Sequence, residues 1–334
     1  MKILQINSVC GVGSTGRIAS EIARVANVRG HKGYIAYGRN KASNTDQKYT
    51  YRIGNNIDVY CHALAERFSD GMGLYSRKAT ERFVTWIENL KPDIIHLHNI
   101  HGYYINIEVL FSFLAAYEHP VVWTLHDCWP ITGHCAYFDY IGCEKWKNGC
   151  MKCSNRGEYP KSYVDRSKRN YLLKERLFTL PKKMVIVTPS QWLNSIVRQS
   201  YLNRYEIRTI HNGIDPNVFR PRNNSIKEFY GIENKVLVLG VANIWSERKG
   251  MDTLMRLAHD LGDQYCIMIV GDIKKTRLTD GIIHIKHTES IDALAEIYSA
   301  ADVFVNATLE DNFPTVNIEA LACGLPVITY DTGG

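Results

Sequence analysis

The chain has 334 residues, 45% of them hydrophobic and 22% charged, which is long for one core and natural for two domains. No apolar run approaches the length needed to cross a bilayer, and Met1 to Asn7 reads as a strand rather than a signal peptide, because its apolar stretch is short and no small-residue cleavage site follows; a cytoplasmic protein is expected. The net charge of +6 suits anionic substrates or an anionic membrane surface and is too weak to argue for nucleic acid.

The first strand runs into Ser8-Val9-Cys10-Gly11-Val12-Gly13-Ser14-Thr15-Gly16, and a helix is predicted from about Ile18 to Arg29. Glycines let the backbone approach a ligand, and a helix start offers unpaired N–H groups to a phosphate. Gly11, Gly13 and Gly16 match the spacing of a dinucleotide fingerprint. The second strand, however, ends in Gly38-Arg39-Asn40 without the acid that would hold a ribose, which argues against an NAD-dependent oxidoreductase. The next two strands end in His96-Leu97-His98-Asn99-Ile100-His101 and in His126-Asp127. The carboxyl edge of a parallel sheet is where ligands bind. No carboxylate is spaced to complete a metal site at these histidines, and His96 reads as a hydrogen-bonded core residue. His126 is the active-site candidate.

A cysteine-rich insertion follows, near 128–153, with Cys135, Cys143 and a CxxC pair at Cys150 and Cys153. Four thiols in a cytoplasmic insertion predict a structural zinc site, and buried free thiols are the alternative. Tyr163 to Phe178 reads as a basic amphipathic helix, either packed by its apolar stripe or lying on a membrane surface. The breaker-rich stretch around Pro216 to Asn224 places the domain boundary, giving domains 1–215 and 216–334. A second alternation of strands and helices then carries Ser246-Glu247-Arg248-Lys249-Gly250 after one strand and Glu310-Asp311-Asn312-Phe313-Pro314 after another, with Glu319 on the helix beyond. Both halves therefore read as parallel α/β sheets with helical crossovers. Asp311 and Glu319 are either solvated acids around a capped helix or acceptors for sugar and ribose hydroxyls.

These motifs together resemble a GT-B glycosyltransferase of the retaining family 4. From Thr124-Leu125-His126-Asp127-Cys128-Trp129 through Gly133-His134-Cys135-Ala136-Tyr137-Phe138 the chain resembles the subgroup that builds colanic acid and related capsular or exopolysaccharides. The resemblance implies two Rossmann-like domains facing a cleft, an acceptor domain followed by a nucleotide-sugar domain. Asp311 and Glu319 stand where the family has two glutamates with seven residues between them, the first on donor-sugar hydroxyls and the second on the ribose. Lys249-Gly250 stands where the family's lysine neutralises the donor diphosphate, and Gly13 lies in the loop that approaches that diphosphate. His126 stands beside the donor sugar, and the donor loop includes Asn312 and Phe313. The family's arginine before the lysine is replaced by the Ala242-Asn243-Ile244 region, so either Arg248 supplies that charge or Lys249 acts alone.

The resemblance thus implies a UDP or GDP sugar as donor, a saccharide or lipid-linked saccharide as acceptor, no cofactor for catalysis, and action at the inner face of the membrane. A non-catalytic nucleotide-sugar binding protein and a nucleotide-sugar epimerase of the same fold are the competing readings. The family's final helix normally crosses back to the first domain, so a chain ending at Gly334 is expected to be less stable or inactive.

Overall fold

The computed structural model describes residues 1–42, 47–273, 278 and 281–334. The chain divides into two compact units, Met1–His211 and Asn212–Gly334, so the division falls a few residues before the breaker-rich stretch at Pro216.

The first unit contains β1 (Lys2–Asn7), α1 (Gly13–Val28), β2 (Lys32–Tyr37), β3 (Thr50–Arg52), α2 (Asn56–Ser69), α3 (Arg77–Leu90) and β4 (Ile94–Leu97). It continues with α4 (Ile107–Ala116), β5 (Val121–Thr124), α5 (Ser167–Phe178), β6 (Met184–Thr188), α6 (Gln191–Arg198) and β7 (Glu206–Thr209). Its strands form one sheet in the order β3-β2-β1-β4-β5-β6-β7, and every pairing is parallel. Helices cover both faces, so strands such as Met184-Val185-Ile186-Val187 are nearly continuous apolar runs rather than alternating ones. Leu4, Ile6, Ile95, Leu97, Trp123 and Phe178 form the centre of the core, and burying each such side chain stabilises the fold by about 1.5–3 kcal/mol.

The second unit contains α7 (Ile226–Phe229), β8 (Val236–Trp245), α8 (Met251–Asp260), β9 (Tyr265–Ile273), β10 (Ile282–Ile285), α9 (Ile291–Ala300), β11 (Val303–Asn306), α10 (Thr315–Ala322) and β12 (Val327–Thr329). Its sheet runs β10-β9-β8-β11-β12 and is also parallel. Strand periodicity sends Leu237 and Leu239 into one apolar layer with Met268, Phe304 and Tyr298. Val238 goes to the opposite layer with Leu254, Ile267 and Ile269.

Three expectations shift. The first helix begins at Gly13 rather than Ile18, so part of the glycine loop is its opening turn. The basic helix begins at Ser167, and Lys174, read as part of its basic face, is buried at 2% exposure. Its ammonium donates to the carbonyls of Trp129 at 2.8 Å and Thr132 at 3.0 Å and lies 3.5 Å from the centre of the Trp129 ring. Local partners thus replace water, and periodicity alone does not show that. No helix among the described residues is long and apolar enough to cross a membrane.

Candidate active site

In the first sheet β1 lies between β2 and β4. The chain leaves β1 to one side and later returns on the other, so the carboxyl ends of β1 and β4 form the topological switch point where open α/β sheets bind ligands. The glycine loop leaves β1 there. Gly11 and Gly13 have φ of 72° and 65°, the left-handed region that favours glycine. A Cβ added at Gly13 would meet nothing within 4 Å. No side chain caps α1, which leaves its first N–H groups to solvent or ligand. Buried Asn7 ties the two loops together: its Nδ2 donates to the Val9 carbonyl at 2.8 Å, and its Oδ1 accepts from the Asn99 N–H at 3.2 Å.

The histidines after β4 and β5 form a relay. Gln5 Oε1 accepts from His98 Nε2 at 2.7 Å. That leaves His98 Nδ1 as the acceptor for His126 Nε2–H at 2.9 Å. His96 bonds the Thr124 hydroxyl at 2.8 Å and stacks on His98 with ring centres 4.2 Å apart. Burial pushes His96 down to about 3, His98 well below the ordinary range and His126 down to about 4. All three are neutral at neutral pH, so His126 presents a lone pair at Nδ1. Beside them, His101 Nε2–H donates to Asp127 Oδ2 at 2.8 Å, the Tyr159 hydroxyl meets His101 Nδ1 at 2.9 Å, and the Trp129 N–H donates to Asp127 Oδ1 at 2.9 Å. Burial works to raise the Asp127 carboxyl, but His101 and the Trp129 N–H outweigh it and hold the pKa below its usual value.

The second sheet repeats the logic. β8 lies between β9 and β11, so the loops after β8 and β11 share a switch point. The Leu309 N–H donates to the Arg248 carbonyl at 2.8 Å, and Arg248 Nη1 donates to the Glu310 carbonyl at 2.5 Å. Lys249 Nζ pairs with Asp311 Oδ2. Gly250 makes this possible: its φ is 75°, and a Cβ there would stand 2.0 Å from the Ala307 carbonyl oxygen. Behind the loop, Thr332 Oγ1 donates to the Leu309 carbonyl at 2.8 Å and the Gly334 N–H to the Asp311 carbonyl at 3.2 Å.

Arg248, Lys249 and Asp311 are therefore brought together, with Asn312 and Phe313 next in the same loop. Of the adjacent acids, Glu310 is fully buried, whereas the Asp311 side chain keeps 21% exposure. Glu319 stands within α10 at 1% exposure, its Oε2 accepting from the Tyr298 hydroxyl at 3.1 Å.

The thiols of the insertion share one neighbourhood. The Cys135 S–H donates to Cys153, which holds the Cys153 thiol below its usual pKa. Burial pushes Cys150 up to about 11, with Cys153 and Cys143 adding to the rise. Among the described residues, the metal-ligating group whose donor atoms all lie within 4.8 Å of one another is Glu66, Asp70 and His134, and the four cysteines are not part of it.

Comparison with known proteins settles the family. The profile described as Glycosyltransferase Family 4 matches residues 15–218. The chain belongs to glycosyltransferase family 4. A second profile, Glycosyl transferases group 1, matches residues 234–334. Over 98% of its length this glycosyltransferase is 27% identical to an Escherichia coli K12 protein named "Putative colanic acid biosynthesis glycosyl transferase WcaC", 82% of which is covered. Among solved structures, sucrose-phosphate synthase from Thermosynechococcus elongatus matches all of the chain and 82% of its own, at 16% identity and a TM-score of 0.69. Anabaena HepE in complex with UDP and glucose matches with the same coverage, at 15% identity and a TM-score of 0.64. The fold is GT-B, built of two parallel-sheet α/β units.

Some partners in this glycosyltransferase had no signal in the sequence. Tyr159 comes from an irregular segment with no periodicity, and Gln5 sits inside an apolar strand where it reads as filler. Glu66 and Asp70 lie on α2 and at its end, distant in sequence from His134, so only the fold reveals the group.

Proposed function

We propose that this glycosyltransferase moves a sugar, with retention of configuration, from a UDP or GDP sugar to a saccharide or lipid-linked saccharide acceptor during cell-surface polysaccharide assembly. The observation that carries the reading is the pairing of Lys249 with Asp311 at the switch point of the second sheet, a cation beside a carboxylate that stands where the family has a glutamate. The name of the Escherichia coli relative supports the polysaccharide context, and the ligands of HepE support the donor class.

In this reading the bond between the sugar's anomeric carbon and the diphosphate oxygen breaks, and a bond to the acceptor hydroxyl forms on the same face. The acceptor proton passes to the leaving phosphate. Lys249, Arg248 and the N–H groups of the Gly13 loop stabilise the charge that develops on the diphosphate. Asp311 accepts from sugar hydroxyls, and Asn312 and Phe313 complete that loop. Glu319 serves the ribose, and a donor hydroxyl there would replace the one it now accepts from Tyr298. His126, neutral, accepts a sugar hydroxyl at Nδ1.

A panel of sugar nucleotides tested by thermal shift identifies the donor, since a ligand that binds the folded form raises its stability by mass action. Nucleotide release is then measured with and without acceptor saccharide. Release that depends on acceptor supports transfer. Sugar interconversion or equal release without acceptor would identify an epimerase or hydrolase instead. Unchanged release by Lys249→Ala and Glu319→Ala would overturn the site assignment.

A further inference from the structure

A second polar cluster lies inside the first unit, apart from the residues assigned to transfer. Asn55 caps α2 through a capping box with Asp58, and the helix ends at Asp70 in the left-handed conformation, with a φ of 49°. Asp70 is fixed from several sides. Its Oδ1 accepts from His134 Nδ1–H at 2.5 Å, its Oδ2 accepts from the Arg166 N–H at 2.7 Å, and its backbone carbonyl accepts from Asn170 Nδ2. Ser162 Oγ donates to the Glu66 carbonyl at 3.3 Å. The cluster thus joins α2, the turn after β5 and the start of α5.

Its interior is unsatisfied. Glu66 is 0% exposed and His134 2%, yet both carboxylate oxygens of Glu66 and Nε2 of His134 lack a hydrogen-bond partner. The Gly71 N–H lies on the Glu66 side and eases its ionisation slightly, but outside hydrogen-bond geometry. Charge on His134, and then on Lys174, eases the ionisation of Glu66, but His134 Nε2 makes no hydrogen bond to it and Lys174 spends its protons on the Trp129 and Thr132 carbonyls. Each unpaired buried group carries its full desolvation penalty, and two buried carboxylates side by side repel. Protonating Glu66 relieves the repulsion and leaves a buried O–H without an acceptor. A cation bound by the Glu66 oxygens and the His134 lone pair satisfies all of these atoms. A histidine that gives its other N–H to a carboxylate is the usual arrangement around a bound metal.

We propose that Glu66 and His134, with Asp70 orienting the imidazole, bind a divalent transition-metal ion of the zinc class. One imidazole with a carboxylate, completed by water, is a donor set that suits zinc among biological cations. The ion fastens α2 to the segment that leaves β5 through Asp127, and so holds the insertion that carries Cys135, Cys143, Cys150 and Cys153. The site is distinct from a tetrathiolate centre, and the test separates the two.

The purified full chain, carrying no polyhistidine tag, is stripped with chelator and titrated with zinc alone by calorimetry. One zinc is expected per chain. Glu66→Gln and His134→Gln should each weaken binding by about 100-fold, and Asp70→Asn by about 10–100-fold. Glu66→Gln removes a buried charge at constant shape, so its stripped form should melt no lower than the unmutated stripped protein, which shows that lost zinc is not lost fold. Cobalt substituted for zinc should lack the intense near-ultraviolet band of sulfur-to-cobalt charge transfer. Unaltered affinity in Glu66→Gln and His134→Gln would overturn the proposal. So would a strong thiolate band, or the absence of zinc uptake by the folded chain, which would mean that water fills the cluster.

Discussion

The two switch points are built on the same topology and filled in opposite ways. In the first unit the groups after β4 and β5 are sunk among apolar side chains and paired to one another: His98 with Gln5 and His126, and Asp127 with His101 and the Trp129 N–H. In the second unit the pair proposed to meet the donor, Lys249 and Asp311, is partly open, with side-chain exposures of 24% and 21%. Buried polar networks are rigid because breaking any link strands a desolvated group. Exposed ion pairs exchange partners at little cost because water replaces what is lost. The first unit therefore presents a fixed surface in a fixed protonation state, and the second presents charges that can be redirected to a ligand.

The largest expected effects are on turnover. Lys249→Ala removes the charge assigned to the leaving diphosphate, and His126→Ala removes the fixed acceptor. Each should lower kcat by about 10²–10³-fold, the range seen when one preorganised stabilising group is deleted. Steady-state kinetics on purified variants checks this, and a loss confined to KM would assign the residue to ground-state binding alone. Stability separates the two regions next. Asp127→Ala strands His101 Nε2–H and the Trp129 N–H and should cost about 2–4 kcal/mol. Asp311→Ala should cost no more than about 1 kcal/mol. Urea denaturation of both variants compares them directly, and equal losses would erase the contrast.

The same contrast explains what could be read in advance. Topology was legible because parallel strands buried on both faces leave apolar runs, and because glycines and helix caps punctuate them; Ser190, for example, caps α6 by accepting from the Leu193 N–H at 3.1 Å. The exposed pair was legible because loop residues at a strand end have few structural reasons to be Lys249 and Asp311. The buried network was only half legible. His98, His101, His126 and Asp127 announced themselves at strand ends. Gln5, Tyr159, Glu66 and Asp70 did not, since their partners come from distant segments and long-range pairing leaves no local pattern. Lys174 shows the converse failure: a cation in a basic stretch reads as solvated until the fold supplies two carbonyls and a tryptophan ring.

Acidification should distinguish the regions in a third way. In an unfolded chain His96, His98 and His126 titrate near 6.5, and in the folded chain they protonate only well below that. Between pH about 6.5 and about 4 the unfolded state binds more protons. Stability is thus complete above pH 6.5 and falls with decreasing pH, by about 1.4 kcal/mol per pH unit for each histidine. Hydrogen exchange on the intact chain, corrected for intrinsic rates, should show amides of β1, β4 and β5 losing protection between pH 7 and pH 5 more steeply than those of β8 and β11. A uniform loss across both sheets would place the titrating groups elsewhere.

The smallest effect is the most informative about mechanism. Lys249 and Asp311 are in direct contact, but contact does not set the worth of an ion pair. Both side chains keep access to water, which solvates each charge when the pair opens. A double-mutant cycle with Lys249→Ala and Asp311→Ala should therefore give a coupling energy of only about 0.2–1 kcal/mol, reduced further by high salt. A weak pair is what the proposed reaction needs, because Lys249 has to turn from the carboxylate to a diphosphate, and Asp311 from the ammonium to sugar hydroxyls, without a large opposing term. A coupling above about 2 kcal/mol that resists salt would mean that the two residues lock the loop instead. Lys249 would then be a structural cation, and the assignment of an adaptable second unit against a rigid first one would fail at the residue on which it most depends.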